Sequence, residues 1–443
     1  MKIALFLALT YFYLLVKGIR ASHYCMLAYL WLSFLVPQWF AQALFYRMPF
    51  AAVALFFGAL FYIMIDWRPL PKVTPVIIVS IVLAFWITFT TFRALVPELA
   101  WIKWGYAYKS ILLVPIMPFF LRTRVQIESG LIAIFGGLLP HIISAGLKTL
   151  FGNVRYGSFP TLLRVNQWLG ETSTLAVAAV MSLAFAYYLT RKSLASERLP
   201  LRRLSFFGYS GVALLTMIGS YARTGPIALA ALLFLGVRSI RLKIGFILAL
   251  LVLGPIVYLL LPQSYTARMA STASYEQDTS ATGRMVVWQW TLDFVKQHPL
   301  GGGFEVYVTN GLYGESGRAF HSIYFETLGE QGYPGLAMFL IIFVGSLIGL
   351  FRLSRREYPP EGAWIQSFAG MLFASLIAFL AGGAFIGVAY QPLGYVIVGL
   401  YVCLLQAVKA LPVALPPAGA RVGSIVFPTR SAPPASAPIG LLR

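Results

Sequence analysis

Residues 318–336, which read R-A-F-H-S-I-Y-F-E-T-L-G-E-Q-G-Y-P-G-L, place a histidine at the edge of a long apolar run. The run, residues 322–351, is long enough to cross a bilayer as a helix. Two carboxylates, Glu326 and Glu330, lie just inside it. Charged groups are costly at that depth and persist mostly where they face a cavity or a partner. The stretch therefore predicts a membrane helix with a functional site where the helix begins.

The rest of the chain repeats this apolar pattern. Of its 443 residues 59% are hydrophobic and 11% charged, and the mean hydropathy is +0.79, far above what a soluble domain needs. Apolar runs rich in Leu, Phe and Trp fall at 3–16, 24–45, 50–65, 74–92, 105–121, 130–150, 172–189, 204–221, 225–237, 244–261, 322–351, 364–380 and 384–408. At ~20 residues a crossing, they predict an all-α bundle of about 12–13 membrane helices within residues 1–411. The Pro-, Ala- and Ser-rich residues 412–443 predict a disordered cytoplasmic tail.

The net charge of +20 reflects topology. Lys and Arg occur in short clusters between apolar runs and not along one face, so no nucleic-acid partner is expected. The two richest clusters, in residues 191–203 and 238–243, are predicted to be cytoplasmic. The turn at 222–225, the loop at 151–170 and the long polar segment at 262–320 then lie on the opposite, external face.

Several kinds of chemistry have no counterpart in the sequence. There are three aspartates and no D-x-D, H-E-x-x-H or C-x-x-C pattern, and no glycine-rich loop precedes a lysine. Metal-dependent and ATP-driven reactions are therefore disfavoured, and no metal or cofactor is expected. Cys25 and Cys403 lie in separate apolar runs, as buried thiols do.

His321 is the candidate catalytic residue. It is external by the charge argument, opens a predicted helix and follows the long polar segment. A histidine can take a proton from a hydroxyl nucleophile near neutral pH. Helical spacing turns Glu326 and Glu330 away from it. On the residues alone, a general base and a packing histidine remain open alternatives.

Arg223 and Arg284 are the candidate anion ligands, because a guanidinium group can hold phosphate through two hydrogen bonds. The alternatives are an arginine that reaches to the membrane interface at 223 and a solvated loop charge at 284.

These residues resemble motifs of the O-antigen ligase and polymerase superfamily. His321-Ser322 with the glycines of G-Y-P-G at 332–335 is similar to its C-terminal signature. G-S-Y-A-R-T-G at 219–225 is similar to its S-R-G turn, and S-A-T-G-R at 280–284 with Trp288 to its external R-x-x-x-W segment. P-L-G-G-G-F at 299–304 resembles the end of that segment. Y-E-Q-D at 275–278 is like the branch of exosortase-associated O-glycosylation ligases.

The resemblance implies transfer of a glycan from undecaprenyl diphosphate to a hydroxyl group of a lipid, glycan or protein acceptor. The reaction would take place without metal at the periplasmic face of the bacterial inner membrane. The resemblance implies that His321 activates the acceptor and that Arg223 and Arg284 hold the diphosphate. No carboxylate nucleophile is evident, so inversion is expected. The candidate accessory residues are Arg155, Ser322, Tyr324 and Trp288.

One departure concerns the acceptor. Where close relatives carry D-N-N, this chain has Gly170-Glu171-Thr172, and its arginine turn contains Ala222 and Thr224. We therefore expect the acceptor contacts to differ. Two other functions stay open: a polymerase of the same superfamily, and a transporter or flippase for the lipid-linked glycan. The long external segment favours an enzyme, because transporters more often show two repeat-related halves.

Overall fold

The computed structural model describes residues 2–37, 49–66, 68–151, 169–198, 201–236, 279–312 and 317–411, and the single residues 41, 45, 244 and 248. This part of the chain is all-helical, as the apolar runs predict. Thirteen α-helices follow one another in it: α1 Lys2–Gly18, α2 His23–Leu35, α3 Phe50–Phe61, α4 Pro75–Phe92, α5 Pro97–Phe120, α6 Arg124–Leu150, α7 Thr172–Arg191, α8 Arg202–Gly219, α9 Thr224–Ala231, α10 Thr279–Gln297, α11 Ile323–Arg355, α12 Ala363–Gly383 and α13 Pro392–Lys409.

Six helices in the described part are long and apolar enough to cross a membrane. They are α4, α6, α7, α11, α12 with its leading turn from Pro360, and α13. Shorter apolar helical segments occur at His23–Leu35, Phe50–Asp66 and Thr224–Gly236. The chain is therefore a multi-pass helical membrane protein. The predicted run at 244–261, apart from residues 244 and 248, and the predicted tail at 412–443 lie outside the described residues.

Local signals in the sequence account for several helix ends. Thr74 accepts a hydrogen bond from the backbone of Ile77 and precedes a proline at the first turn of α4. Thr123 and Gln126 form a reciprocal capping box at the start of α6.

The interior of the bundle is formed by α7, α12 and α13. Helix α12 packs against α7, α9, α11 and α13, and α13 also packs against α5. Aromatic rings fill the centre: the ring of Phe343 lies 5.6 Å from Phe379 and 5.2 Å from Tyr395. Large apolar side chains on α1 and α4 remain exposed. These faces suit contact with lipid chains.

Helix α10 lies inside the long polar segment at 262–320. Residues 279–297 are helical, and α10 packs against α11. The long polar segment therefore contains a helix that the search for apolar runs did not identify. Polar and charged residues interrupt the apolar positions of this helix, so it forms no continuous apolar run.

Helix α11 is broken near its start at Gly332, whose backbone adopts φ 66° and ψ −169°. The loop that follows α10 lies against this break. The backbone N–H groups of Gly302 and Gly303 donate to the carbonyls of Gly329 and Glu330 at 3.0 and 2.9 Å, and Tyr333 donates to Pro299 at 3.0 Å. The loop thus satisfies carbonyl groups that the broken helix leaves open.

Candidate functional site

His321 lies two residues before α11, in a left-handed backbone conformation with φ 47°. This conformation is uncommon for residues other than glycine and costs about 1–2 kcal/mol. Its neighbours hold it there. The indole N–H of Trp288 on α10 donates to the carbonyl of Phe320 at 2.8 Å, and the Trp288 ring stacks on Phe325 at 4.9 Å. Trp288 therefore binds the carbonyl just before His321 and packs on a side chain in the first turn of α11.

Arg318 is held by a second clamp. The side-chain amide of Asn310 donates to the carbonyl of Arg318 at 2.8 Å and accepts from its N–H at 2.9 Å. The guanidinium group of Arg318 lies against Gly283, where a Cβ atom would collide with it. Since Gly283 precedes Arg284, the guanidinium group of Arg318 lies beside the turn of α10 that carries Arg284.

Both arginines act on His321 through their charge. Burial, together with the positive charges of Arg284 and Arg318, lowers the pKa of His321 from 6.5 to about 4. The imidazole is therefore neutral at pH 7 and can accept a proton. Its cationic surroundings also suit an anionic group of a substrate.

Glu171 brings a carboxylate to the same place. It precedes α7, and its Oε2 accepts a hydrogen bond from the hydroxyl of Thr174 at 3.1 Å. Burial raises the pKa of Glu171, and its electrostatic neighbours include Glu326 and Arg284. Arg284 thus interacts with both the candidate base and this carboxylate.

Arg223 lies at the start of α9, at the same end of the bundle. Helix α9 packs against α7 and α12. A Cβ atom on Gly225 would lie 3.2 Å from that of Ala176, in the second turn of α7. The start of α9, which carries Arg223, therefore lies beside the second turn of α7.

The accessory candidates have different surroundings. Trp288 contacts the backbone next to His321, as described above. Ser322 is the buried residue that precedes α11. The hydroxyl of Tyr324 donates to the carbonyl of Leu380 on α12 at 3.1 Å, so it joins two helices. Arg155 and residues 275–278 lie outside the described residues.

A buried ion cluster lies beneath the site, and the sequence reasoning missed its centre. The ammonium group of Lys103 on α5 contacts Glu330 at 2.7 Å, Glu326 at 2.8 Å and Glu305 at 3.0 Å. Lys103, Glu326 and Glu330 are at most 7% exposed. Glu326 also accepts from the backbone of Ala389 at 2.9 Å. The sequence did contain a signal for this cluster: Lys103 lies next to an apolar run, and a charge inside a membrane bundle needs a partner.

The carboxylates of Glu326 and Glu330 thus both bind the ammonium group of Lys103. Across the described ranges, no group of three or more His, Cys, Asp or Glu residues has an arrangement that could hold a metal ion.

Comparison with known proteins divides the chain into two matched segments. Residues 2–194 match a family of unknown function (DUF5935), and residues 208–340 match the family described as O-Antigen ligase. No curated protein matches the chain. Arg223, Arg284 and His321 all fall in the second segment, whereas Lys103 and Glu171 fall in the first. Such a segment implies a transferase with a lipid-linked glycan substrate. This multi-pass membrane protein thus carries an O-antigen ligase domain in its C-terminal half.

Proposed function

We propose that this protein transfers a glycan from undecaprenyl diphosphate to a hydroxyl group of a lipid or protein acceptor, at the periplasmic face of the bacterial inner membrane. The observation that carries the proposal is the convergence of a neutral His321 with Arg284 and Arg318 at one end of the bundle. A base beside fixed positive charge suits a hydroxyl nucleophile and a diphosphate leaving group.

In the proposed reaction, the imidazole of His321 takes the proton of the acceptor hydroxyl. The acceptor oxygen then forms a bond to the anomeric carbon, while the bond from that carbon to the diphosphate oxygen breaks. The electron pair leaves with the diphosphate. Arg284 and Arg223 would stabilise the charge that builds up on the leaving group. A single displacement inverts the anomeric carbon.

The low pKa of His321 fits this role in one respect and limits it in another. A neutral imidazole is present at pH 7 without any change in protonation. The same low pKa makes the imidazole a weaker base than an exposed histidine. We infer that strong stabilisation of the departing diphosphate supplies most of the rate, with proton removal as a smaller contribution.

The test uses purified protein in lipid nanodiscs with an undecaprenyl diphosphate-linked glycan and a hydroxyl acceptor, without ATP or an ion gradient. We expect a new glycosidic bond with the wild-type protein and at least a 100-fold lower rate with His321→Asn. Asparagine tolerates the left-handed backbone but cannot act as the base. His298→Ala is the matched control, because His298 is exposed and stacks on Phe294 outside the site.

The products decide between related functions. Glycan on a separate acceptor supports a ligase, whereas longer glycan on the lipid carrier would show a polymerase. Movement of the donor across the bilayer without any new glycosidic bond would show a transporter. Normal transfer by His321→Asn would refute the role of His321.

A further inference from the structure

A cavity of about 1080 Å³ lies between α2, α3, α5 and the start of α13, and none of the described candidate site residues lines it. Its described lining is mostly apolar. Phe56, Ile63 and Leu70 line the cavity and are also exposed, so it opens at the surface of the bundle. In a membrane protein such an opening faces lipid.

One side of α5 forms a wall of this cavity. Five lining residues follow one another there at intervals of three or four and so share one side of the helix: Tyr106, Lys109, Leu113, Ile116 and Phe120. At 1.5 Å per residue, this wall is about 21 Å long. Its polar groups stand at the end nearer the buried ion cluster, and the rest of the stripe is apolar.

Lys109 lies about halfway across the membrane part of the bundle. The indole N–H of Trp104 on α5 donates to the hydroxyl of Thr88 on α4 at 2.9 Å. Helices α4 and α5 are consecutive and antiparallel, so Lys109, five residues farther along, is level with the middle of the membrane-crossing helix α4. A charge at this depth persists mostly where it faces a cavity or a partner.

The ammonium group of Lys109 is available to a ligand. Lys109 is exposed, and among the described residues its ammonium group has no carboxylate partner and lies 5.6 Å from the ring centre of Tyr108. Lys103 precedes it by six residues, about 1.7 turns, so the two lysines point to different sides of α5. The cavity therefore faces a different side of α5 from the ion cluster beneath the candidate site.

The order of groups along the wall matches an amphiphile with a negatively charged head. An ammonium group binds a phosphate oxygen through a charge-assisted hydrogen bond. The apolar remainder of the stripe suits hydrocarbon chains. Half of a hydrocarbon core that is ~30 Å thick is shorter than this wall, so the wall can accommodate the chains of one leaflet.

We propose that this cavity binds an anionic phospholipid of the surrounding membrane, with its phosphate group on Lys109 and its acyl chains along the apolar stripe toward Phe120. This binding site is independent of the proposed function.

The head-group contact is tested by native mass spectrometry of the full-length protein in detergent. The protein is titrated with phosphatidylglycerol or with phosphatidylcholine that has the same acyl chains. We expect the wild-type protein to bind phosphatidylglycerol about 10-fold more tightly, and Lys109→Gln to bind both lipids equally. Lys109→Arg should keep the preference. Lys296→Gln is the control, because it removes an equal charge from an exposed position on α10.

The chain contact is tested by filling the cavity. Ala59 on α3 lines it, so Ala59→Phe should weaken the binding of both lipids about 10-fold. Ala337→Phe is the matched control, because Ala337 is an exposed alanine on α11 outside the cavity lining. Without added lipid, Lys109→Gln should unfold at the wild-type temperature, since Lys109 is exposed.

Loss of the preference in Lys109→Gln, together with weaker binding of both lipids by Ala59→Phe, supports the proposal. Equal wild-type affinities for the two lipids, a preference that survives in Lys109→Gln, or unchanged affinities in Ala59→Phe would overturn it. Displacement of phosphatidylglycerol by an equal concentration of undecaprenyl diphosphate would assign the cavity to the glycan donor and would also overturn it.

Discussion

His321 has a strained backbone, and its surroundings disfavour the protonated, positively charged form of its imidazole. The left-handed conformation is maintained from outside the residue, by the hydrogen bond from Trp288 to Phe320 and by the clamp of Asn310 on Arg318. Helical spacing could not supply these contacts, because they come from α10 and from the turn at Val306–Asn310. Residue type identified the histidine, and tertiary structure determines its orientation.

The positive charge of Arg318 should affect the pH at which the transfer rate falls on the acid side of its pH profile. With a pKa of about 4, His321 stays neutral from pH 8 down to about pH 5, so transfer should be level there and fall as pH approaches 4. Arg318→Gln removes one positive neighbour and raises the pKa of His321, which shifts the acid limb to higher pH. The measurement is kcat/KM for the acceptor between pH 4 and 8.

Lys296→Gln provides the control for this experiment, because it removes an equal charge from an exposed position on α10. An identical acid limb in Arg318→Gln and the wild-type protein would contradict the electrostatic account. The lowered pKa of His321 also makes the stability of the folded protein depend on pH. Since the folded pKa lies below the ordinary value of 6.5, the contribution of His321 to stability is present above pH 6.5 and is lost as pH falls toward 4.

At the scale of elements, the break in α11 joins the helix to the loop after α10. Gly332 has a backbone conformation that is nearly exclusive to glycine, and Gly301 and Gly303 have φ values of 83° and 81°. The indole of Trp86 on α4 donates to the carbonyl of Gln331 at 2.9 Å, beside the same break. The glycines of the sequence signature therefore shape the backbone beneath His321.

Substitution of Gly332 should show this structural role. Gly332→Ala places a Cβ atom against the backbone of Pro299 and Leu300 and strains the local conformation by about 1–3 kcal/mol. We expect a lower unfolding temperature and weaker transfer. Gly345→Ala is the control on the same helix, because its Cβ atom would meet open space. Equal unfolding temperatures for the two variants would show that the break tolerates a side chain.

The elements were predictable to different degrees. Apolar runs such as the one that becomes α11 identify membrane helices, because burial in lipid requires about 20 apolar residues in succession. Helix α10 was not predicted, because polar and charged residues interrupt its apolar positions and leave no continuous apolar run. The glycine pair at 332 and 335 was recognisable as a motif. The physical reason depends on contacts that only the folded chain contains: residues 299–301 approach Gly332 closely, and Gln331 and Trp86 approach Gly335.

At the scale of the whole molecule, the buried ion cluster connects the two matched segments. Lys103 belongs to residues 2–194, and its three glutamate partners belong to residues 208–340. The sequence could not reveal this connection, since the cluster joins residues more than two hundred positions apart. It could show only that Lys103, Glu326 and Glu330 each needed a partner.

Loss of Lys103 should destabilise the protein strongly. Lys103→Met leaves three clustered carboxylates without their cation, and breaking a buried ion pair costs about 3–5 kcal/mol. We expect poor recovery of folded protein and a large drop in unfolding temperature. Lys109→Met is the control, because Lys109 is exposed on the same helix and lies over the ring of Tyr108. Similar unfolding temperatures would mean that the carboxylates are neutralised without Lys103.

The ion cluster also bears on how such a protein can change through evolution. A recombination event that replaced residues 2–194 with an unrelated membrane segment would leave the buried Glu326 and Glu330, and the half-buried Glu305, without their cation. The exchanged segment would have to bring its own cation to one place in its fifth helix. A working chimera of the two matched segments would therefore have to preserve the charge that they share.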